Sequence, residues 1–142
     1  MKRIVTGWDE RGNAAILFDG DPPQNPDFGM TRASEIWISD ATPPDTRRQD
    51  DPTIGEWQLE PPPRGSAFRF ATYQPGAEVD VHATETLDYV VVLTGELTLL
   101  IADKEITLAA GDTVVQQETP HGWANRGDDP CTIAVVLLSA KV

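Results

Sequence analysis

The sequence predicts an all-β chain folded as an antiparallel sandwich or barrel, and three observations carry that prediction. Twelve Pro and eleven Gly interrupt the 142 residues so often that a long helix has no room. Short runs rich in β-branched residues recur through the second half, separated by turn-forming clusters. No motif returns at a period of 20 to 50 residues, which sets propellers and solenoids aside.

Each element can be justified in turn. Arg3 to Trp8 and Ala14 to Phe18 flank the polar stretch Asp9-Glu10-Arg11-Gly12-Asn13 and read as a hairpin with a longer loop. Ala33 to Ile38 alternates well enough for a further strand. From Asp40 to Arg64 six prolines and many charges leave few apolar residues, so this stretch reads as an arm or loop laid over the body. Ala67 to Tyr73 is the next strand. Asp88 to Thr94 and Glu96 to Ala102 are expected to meet at Gly95 as a hairpin, with Leu97, Leu99 and Ile101 on its buried face. Lys104 to Leu108, Thr113 to Gln117 and Thr132 to Ser139 complete the set, broken at Gly111-Asp112 and at 125–130. The organisation follows: residues 1–39 are N-terminal strands, 40–64 the proline-rich arm, and 65–142 the barrel core.

Composition narrows the functions. Eleven basic residues against 23 acidic ones give a net charge of −12, and no segment concentrates Lys or Arg, so a nucleic-acid partner is not expected. No apolar run is long enough for a membrane span and the first residues lack the core of a signal peptide, so a soluble, cytoplasmic protein without membrane contact is expected. The single cysteine, Cys131, has no partner for a disulfide and no basic neighbour to activate it, and reads as an inert buried thiol. A small-molecule ligand or a protein partner remains.

Two segments carry a resemblance. Gly76 to Gly95, with His82, Thr84 and Asp88 at its chemically distinctive positions, resembles the first motif of the cupin family. Gly111-Asp112 through Pro120-His121-Gly122-Trp123-Ala124-Asn125 resembles the second, and together they span about 66 to 140. The N-terminal half is similar to the extra strands of small bacterial single-domain, RmlC-like cupins. The resemblance implies a jelly-roll barrel, a double-stranded β-helix, whose interior holds a metal bound by three His and one Glu. Carried over, those positions fall on His82, Thr84, Asp88 and His121. Thr84 replaces an imidazole with a poor neutral donor, and Asp88 keeps a carboxylate one methylene shorter.

The residues also argue for themselves. In an unbroken strand His82, Thr84 and Asp88 share one face, and His121 from another strand could close the set. Two His and one carboxylate suit a divalent ion such as Fe, Mn, Ni or Zn; alternatively both His are hydrogen-bonded in a metal-free pocket. Without metal, burial beside the apolar run 89–93 would raise the pKa of Asp88 and make it a general acid or base. Tyr89 and Trp123 are wall or core residues, Gln116 alternates toward the pocket, Asn125 pins a turn, and Glu85 faces solvent.

Three function classes follow: an isomerase, lyase or dehydratase type of enzyme using His82, Asp88 and His121 on a small polar organic substrate, with or without metal; an Fe(II)-dependent oxygenase; or a non-catalytic ligand-binding or sensor module. Fold alone does not choose among them. Trp8, Ile36, Trp37 and Ile38 offer apolar surface outside the motifs, and a homodimer is expected.

Overall fold

The computed structural model describes residues 1–142 and contains eleven strands and no helix. They are β1 (Arg3–Trp8), β2 (Ala14–Gly20), β3 (Thr31–Ser39), β4 (Ser66–Tyr73), β5 (Glu78–His82), β6 (Thr86–Thr94), β7 (Glu96–Ile101), β8 (Lys104–Ala109), β9 (Thr113–Gln117), β10 (His121–Ala124) and β11 (Cys131–Ser139). β1 and β2 form a separate two-stranded ribbon. The rest make a five-stranded sheet ordered β3-β4-β11-β6-β9 and a four-stranded sheet ordered β5-β10-β7-β8, all antiparallel. From β4 to β11 the chain changes sheet at every connection except β7–β8, which winds a jelly roll around one interior.

That winding corrects one expectation. β6 and β7 do not form a hairpin at Gly95; β6 pairs with β11 and β9, whereas β7 pairs with β10 and β8. Only Gly95 separates the two strands, and antiparallel pairing needs a loop of at least about two residues. The chain turns a corner there instead. Gly95 has φ +74°, and a Cβ would stand 2.6 Å from the Pro130 carbonyl oxygen, so only glycine fits.

The core lies between the sheets and follows the period of two. Ile133, Val135 and Leu137 of β11, Val90 and Val92 of β6, and Leu97 and Leu99 of β7 are buried, and Ile101 packs partly buried against them. Each such side chain contributes roughly 1.5–3 kcal/mol when fully buried. The 40–64 segment contains no strand but is anchored: Arg3 donates Nη2 to Asp51 Oδ2 at 2.5 Å, and Thr53 is buried beside the pair. Asn125 pins the β10–β11 connection by donating Nδ2 to the carbonyls of Tyr73 and Asp129 and accepting from Gly127 N–H.

Candidate functional site

A cavity of about 250 Å³ opens between the sheets. The five-stranded sheet supplies Arg69, Asp88, Val90, Gln116, Ile133, Val135 and Leu137, and the facing sheet supplies Val79, His82, His121 and Trp123. Phe28, Trp57 and Leu59 close one side from the loops. Thus His82, Thr84, Asp88, Gln116, His121 and Trp123 all reach this one cavity. Tyr89 does not: it is 48% exposed on the outer face of β6, because Asp88 and Val90 take the inward positions on either side. Glu85 is likewise exposed, near the Lys141 ammonium at 3.8 Å.

The route that brings the first-motif residues together differs from a single unbroken strand. Residues 83–85 lie outside any strand, so His82 ends β5 in one sheet while Asp88 sits within β6 in the other. Within β5, Val79 and His82 both line the cavity although an odd spacing would send them to opposite faces. A β-bulge explains it: across β10, Trp123 pairs with Val79 and His121 with His82, so β5 carries one extra residue. Val81, inward by simple alternation, is 63% exposed as a result.

His82 and His121 have their ring centroids 4.6 Å apart. His82 Nδ1 lies 2.8 Å from the Asp80 carbonyl oxygen, and His121 Nδ1 lies 2.8 Å from that of Thr119. A carbonyl only accepts, so both protons sit on Nδ1 and each Nε2 keeps its lone pair without a protein partner. Burial pushes the His121 pKa down, and a charge on His82 adds to that; the Thr119 carbonyl and Asp88 oppose it in part.

Opposite them, Asp88 is buried and pairs in register with Gln116, whose Nε2 donates to Asp88 Oδ2 at 3.3 Å. Asp88 Oδ1 and Gln116 Oε1 are buried without hydrogen-bond partners. Burial raises the Asp88 pKa, outweighing the Thr86 hydroxyl, His121, Gln116 and Arg69, all of which pull it down. The Thr84 and Thr86 hydroxyls share one hydrogen bond at 2.7 Å, in which one donates and the other accepts.

Sequence reasoning missed a second polar pair on the same sheet. Glu35 and Arg69 are register partners, both buried, with Arg69 Nη2 3.1 Å from Glu35 Oε2. Arg69 also donates to the carbonyls of Gln58 and Leu59, and its guanidinium lies 5.0 Å from the Trp57 ring centre. Burial raises the Glu35 pKa against the pull of Arg69, and lowers that of Arg69 against the pull of Glu35. Strand parity carries the signal: Ala67, Arg69 and Ala71 share a face, so an inward core strand here holds an arginine.

The metal that the family resemblance implies would need at least three of these donors to converge. No three His, Cys, Asp or Glu side chains converge in the way that a metal ion needs. His82 and His121 offer two nitrogens, Thr84 brings no imidazole, and the Asp88 carboxylate is turned to Gln116 on the other sheet. The His82, Asp88 and His121 set does not fit a three-donor centre as it stands.

Comparison with known proteins agrees with the fold. Residues 69–137 match the cupin domain model. The chain is 36% identical over 120 residues to phomopsin biosynthesis cluster protein C' of Diaporthe leptostromiformis, covering 80% of this chain and 64% of that protein, so it spans less than two thirds of that relative's length. It is 30% identical over 149 residues to the cupin-domain-containing oxidoreductase srdD of Neurospora crassa, covering 98% of this chain and 75% of that protein. These relatives are fungal rather than bacterial. Among solved structures, AerE from Microcystis aeruginosa superposes with a TM-score of 0.58 at 18% identity, over 83% of this chain and 46% of that one, a likeness of fold alone. With both motifs in place on a jelly roll and a relative of this identity matched over three quarters of its length, the chain belongs to the cupin family.

Proposed function

We propose that the chain is an enzyme of the isomerase, lyase or dehydratase type, moving a proton on a small organic molecule held between the sheets. The observation that carries this reading is the histidine pair. Two imidazoles with their Nδ1 protons tied to carbonyls present Nε2 lone pairs to a largely apolar cavity. With its pKa lowered, His121 is neutral at pH 7 and acts as the base. Asp88, its pKa raised and Oδ1 unpaired, is the partner acid or relay, and Gln116 holds its other oxygen. Trp123, Trp57 and Phe28 supply an apolar wall beside the reacting atoms.

The test is proton exchange. A set of small ketones and hydroxy compounds is incubated with protein in D2O and deuterium incorporation is followed by NMR. His121→Gln should lose roughly 10²–10⁴-fold of any exchange the wild type catalyses. Exchange that survives this change, or that requires added Fe(II), overturns the reading. An oxidoreductase is the second reading, favoured by the name of the Neurospora crassa relative, and a strict metal requirement would support it. We further propose that the protein works as a homodimer, since the outer face of the five-stranded sheet leaves Phe68, Tyr89, Leu93 and Val115 exposed.

A further inference from the structure

The cavity wall presents several acceptors without partners, beside the polar ends of Tyr73 and Trp123. Gln116 gives one of its two amide N–H groups to Asp88, and its Oε1 is a buried acceptor without a partner. His82 and His121 spend their N–H on carbonyls, which leaves two Nε2 acceptors. Asp88 Oδ1 is a fourth unpartnered atom beside them, and the other three are acceptors whatever proton Asp88 carries. Thr84, the nearby hydroxyl, shares a single hydrogen bond with Thr86, in which either oxygen can donate.

The cations on the wall do not balance these acceptors. Arg69 directs Nη1 to the Leu59 carbonyl and Nη2 to the Gln58 carbonyl and Glu35, whose carboxylate cancels its charge. Two fully buried N–H groups of the wall without a partner, Arg69 Nε and Trp57 Nε1, belong to that same Glu35 cluster. Arg32 is exposed and paired with Asp27 at 2.7 Å. An anionic ligand would therefore meet a row of lone pairs and no free counter-charge.

Ring-shaped contacts occupy the rest. Trp57, Trp123 and Phe28 line the cavity, with Phe28 and Trp57 ring centres 5.2 Å apart in a tilted pair. About 250 Å³ corresponds to roughly eight water volumes, room for one ring with short substituents. We propose that the cavity takes a neutral ring compound bearing two or more hydroxyl groups. The aromatic side chains cover the ring, and the hydroxyls donate to Gln116 Oε1 and the two histidine Nε2 atoms. This rests on reading the cavity as a small-molecule site, as above, but not on any catalytic step.

The full chain is titrated by NMR and calorimetry with resorcinol, with 1,3-dimethoxybenzene, which keeps the ring and loses both donors, and with 3-hydroxybenzoate, which adds an anion. Resorcinol should bind with Kd about tenfold or more below either analogue, because each unpaired acceptor left buried costs the analogue affinity. Gln116→Met should weaken resorcinol several-fold and leave dimethoxybenzene unchanged, an asymmetry that a general loss of packing does not produce. Equal binding of the dimethoxy compound, tighter binding of the benzoate, or no binding of any of the three overturns the proposal. Binding in the expected order with no proton exchange defeats the catalytic reading alone. Exchange with a preference for carboxylates defeats this one alone.

Discussion

His82 and His121 are register partners across β5 and β10, and each gives its Nδ1 proton to the main-chain carbonyl two residues before it. The rings stand 4.6 Å apart, close enough for a proton on His82 to disfavour one on His121. With burial as the larger cause and His82 as a lesser one, the His121 pKa is lowered and leaves a neutral base at pH 7, which is the property that an acid/base site needs.

Stability should depend on pH through two buried groups with opposite signs. Asp88 has a raised pKa when folded, so its contribution is fully present below the ordinary value of 3.8 and is lost as pH rises through the raised folded value. His121 has a lowered pKa when folded, so stability is retained above its ordinary value of 6.5 and drains as pH falls from there through the folded value. Urea unfolding across pH 4 to 8 checks both. Asp88→Asn should raise the midpoint at pH 7, and His121→Gln should flatten the loss below pH 6.5; unchanged profiles in both variants would contradict the assigned shifts.

Breaking the Glu35–Arg69 pair from one side should cost about 3–5 kcal/mol, because Glu35→Ala leaves a guanidinium uncompensated at a position 0% and 5% exposed on its two sides. The double variant Glu35→Leu/Arg69→Met should recover most of that loss. It should also free residues 57–59, since Arg69 holds the carbonyls of Gln58 and Leu59, and Trp57 fluorescence anisotropy reports the release.

Metal titration follows from the donor set. Fe(II), Mn(II), Ni(II) and Zn(II) added to metal-free protein should leave the melting temperature within a degree or so. A native-state site at a hundred times its Kd would add roughly 2.7 kcal/mol and move the transition by several degrees. A rise of that size, abolished by His121→Ala and kept by Glu85→Ala, would restore the metal and refute the donor-set argument.

The homodimer is checked by light scattering, which should return twice the 15.5 kDa chain mass at micromolar concentration. In register across all five strands, Trp37, Phe68, Val136, Tyr89 and Val115 form one row on the outer face of the sheet. Tyr89→Lys in that row should shift the protein to monomer if the face is the contact.

Much of this architecture is legible in the chain because alternation and turn residues act locally. The strands at 67–73, 88–94, 96–102, 104–108, 113–117 and 132–139 follow from alternation and turn residues. Motif order points His82, Asp88, Gln116 and His121 to one cavity, whereas the short β5 and β10 that carry the histidines are not marked out by local pattern. Gly95 misled because a sheet change and a hairpin use the same residues; counting the single residue between β6 and β7 separates them. The bulge in β5 is hidden, since Val79, Asp80 and Val81 look like ordinary alternation and only pairing with β10 shows the extra residue. The Glu35–Arg69 pair depends on the register between two strands 27 residues apart, which local pattern does not encode.

The carbonyls of Asp80 and Thr119 belong to the main chain, so the tautomers of His82 and His121 are set by atoms that every amino acid carries. Alanine scanning at positions 80 and 119 will pass over this control without a phenotype. Natural drift at the same positions is free to proceed while the imidazoles keep their orientation. The instruction that decides which nitrogen faces the ligand is inherited through backbone path rather than through side-chain identity. An amide-to-ester replacement at those two carbonyls, which weakens them as acceptors, addresses it where point substitution does not.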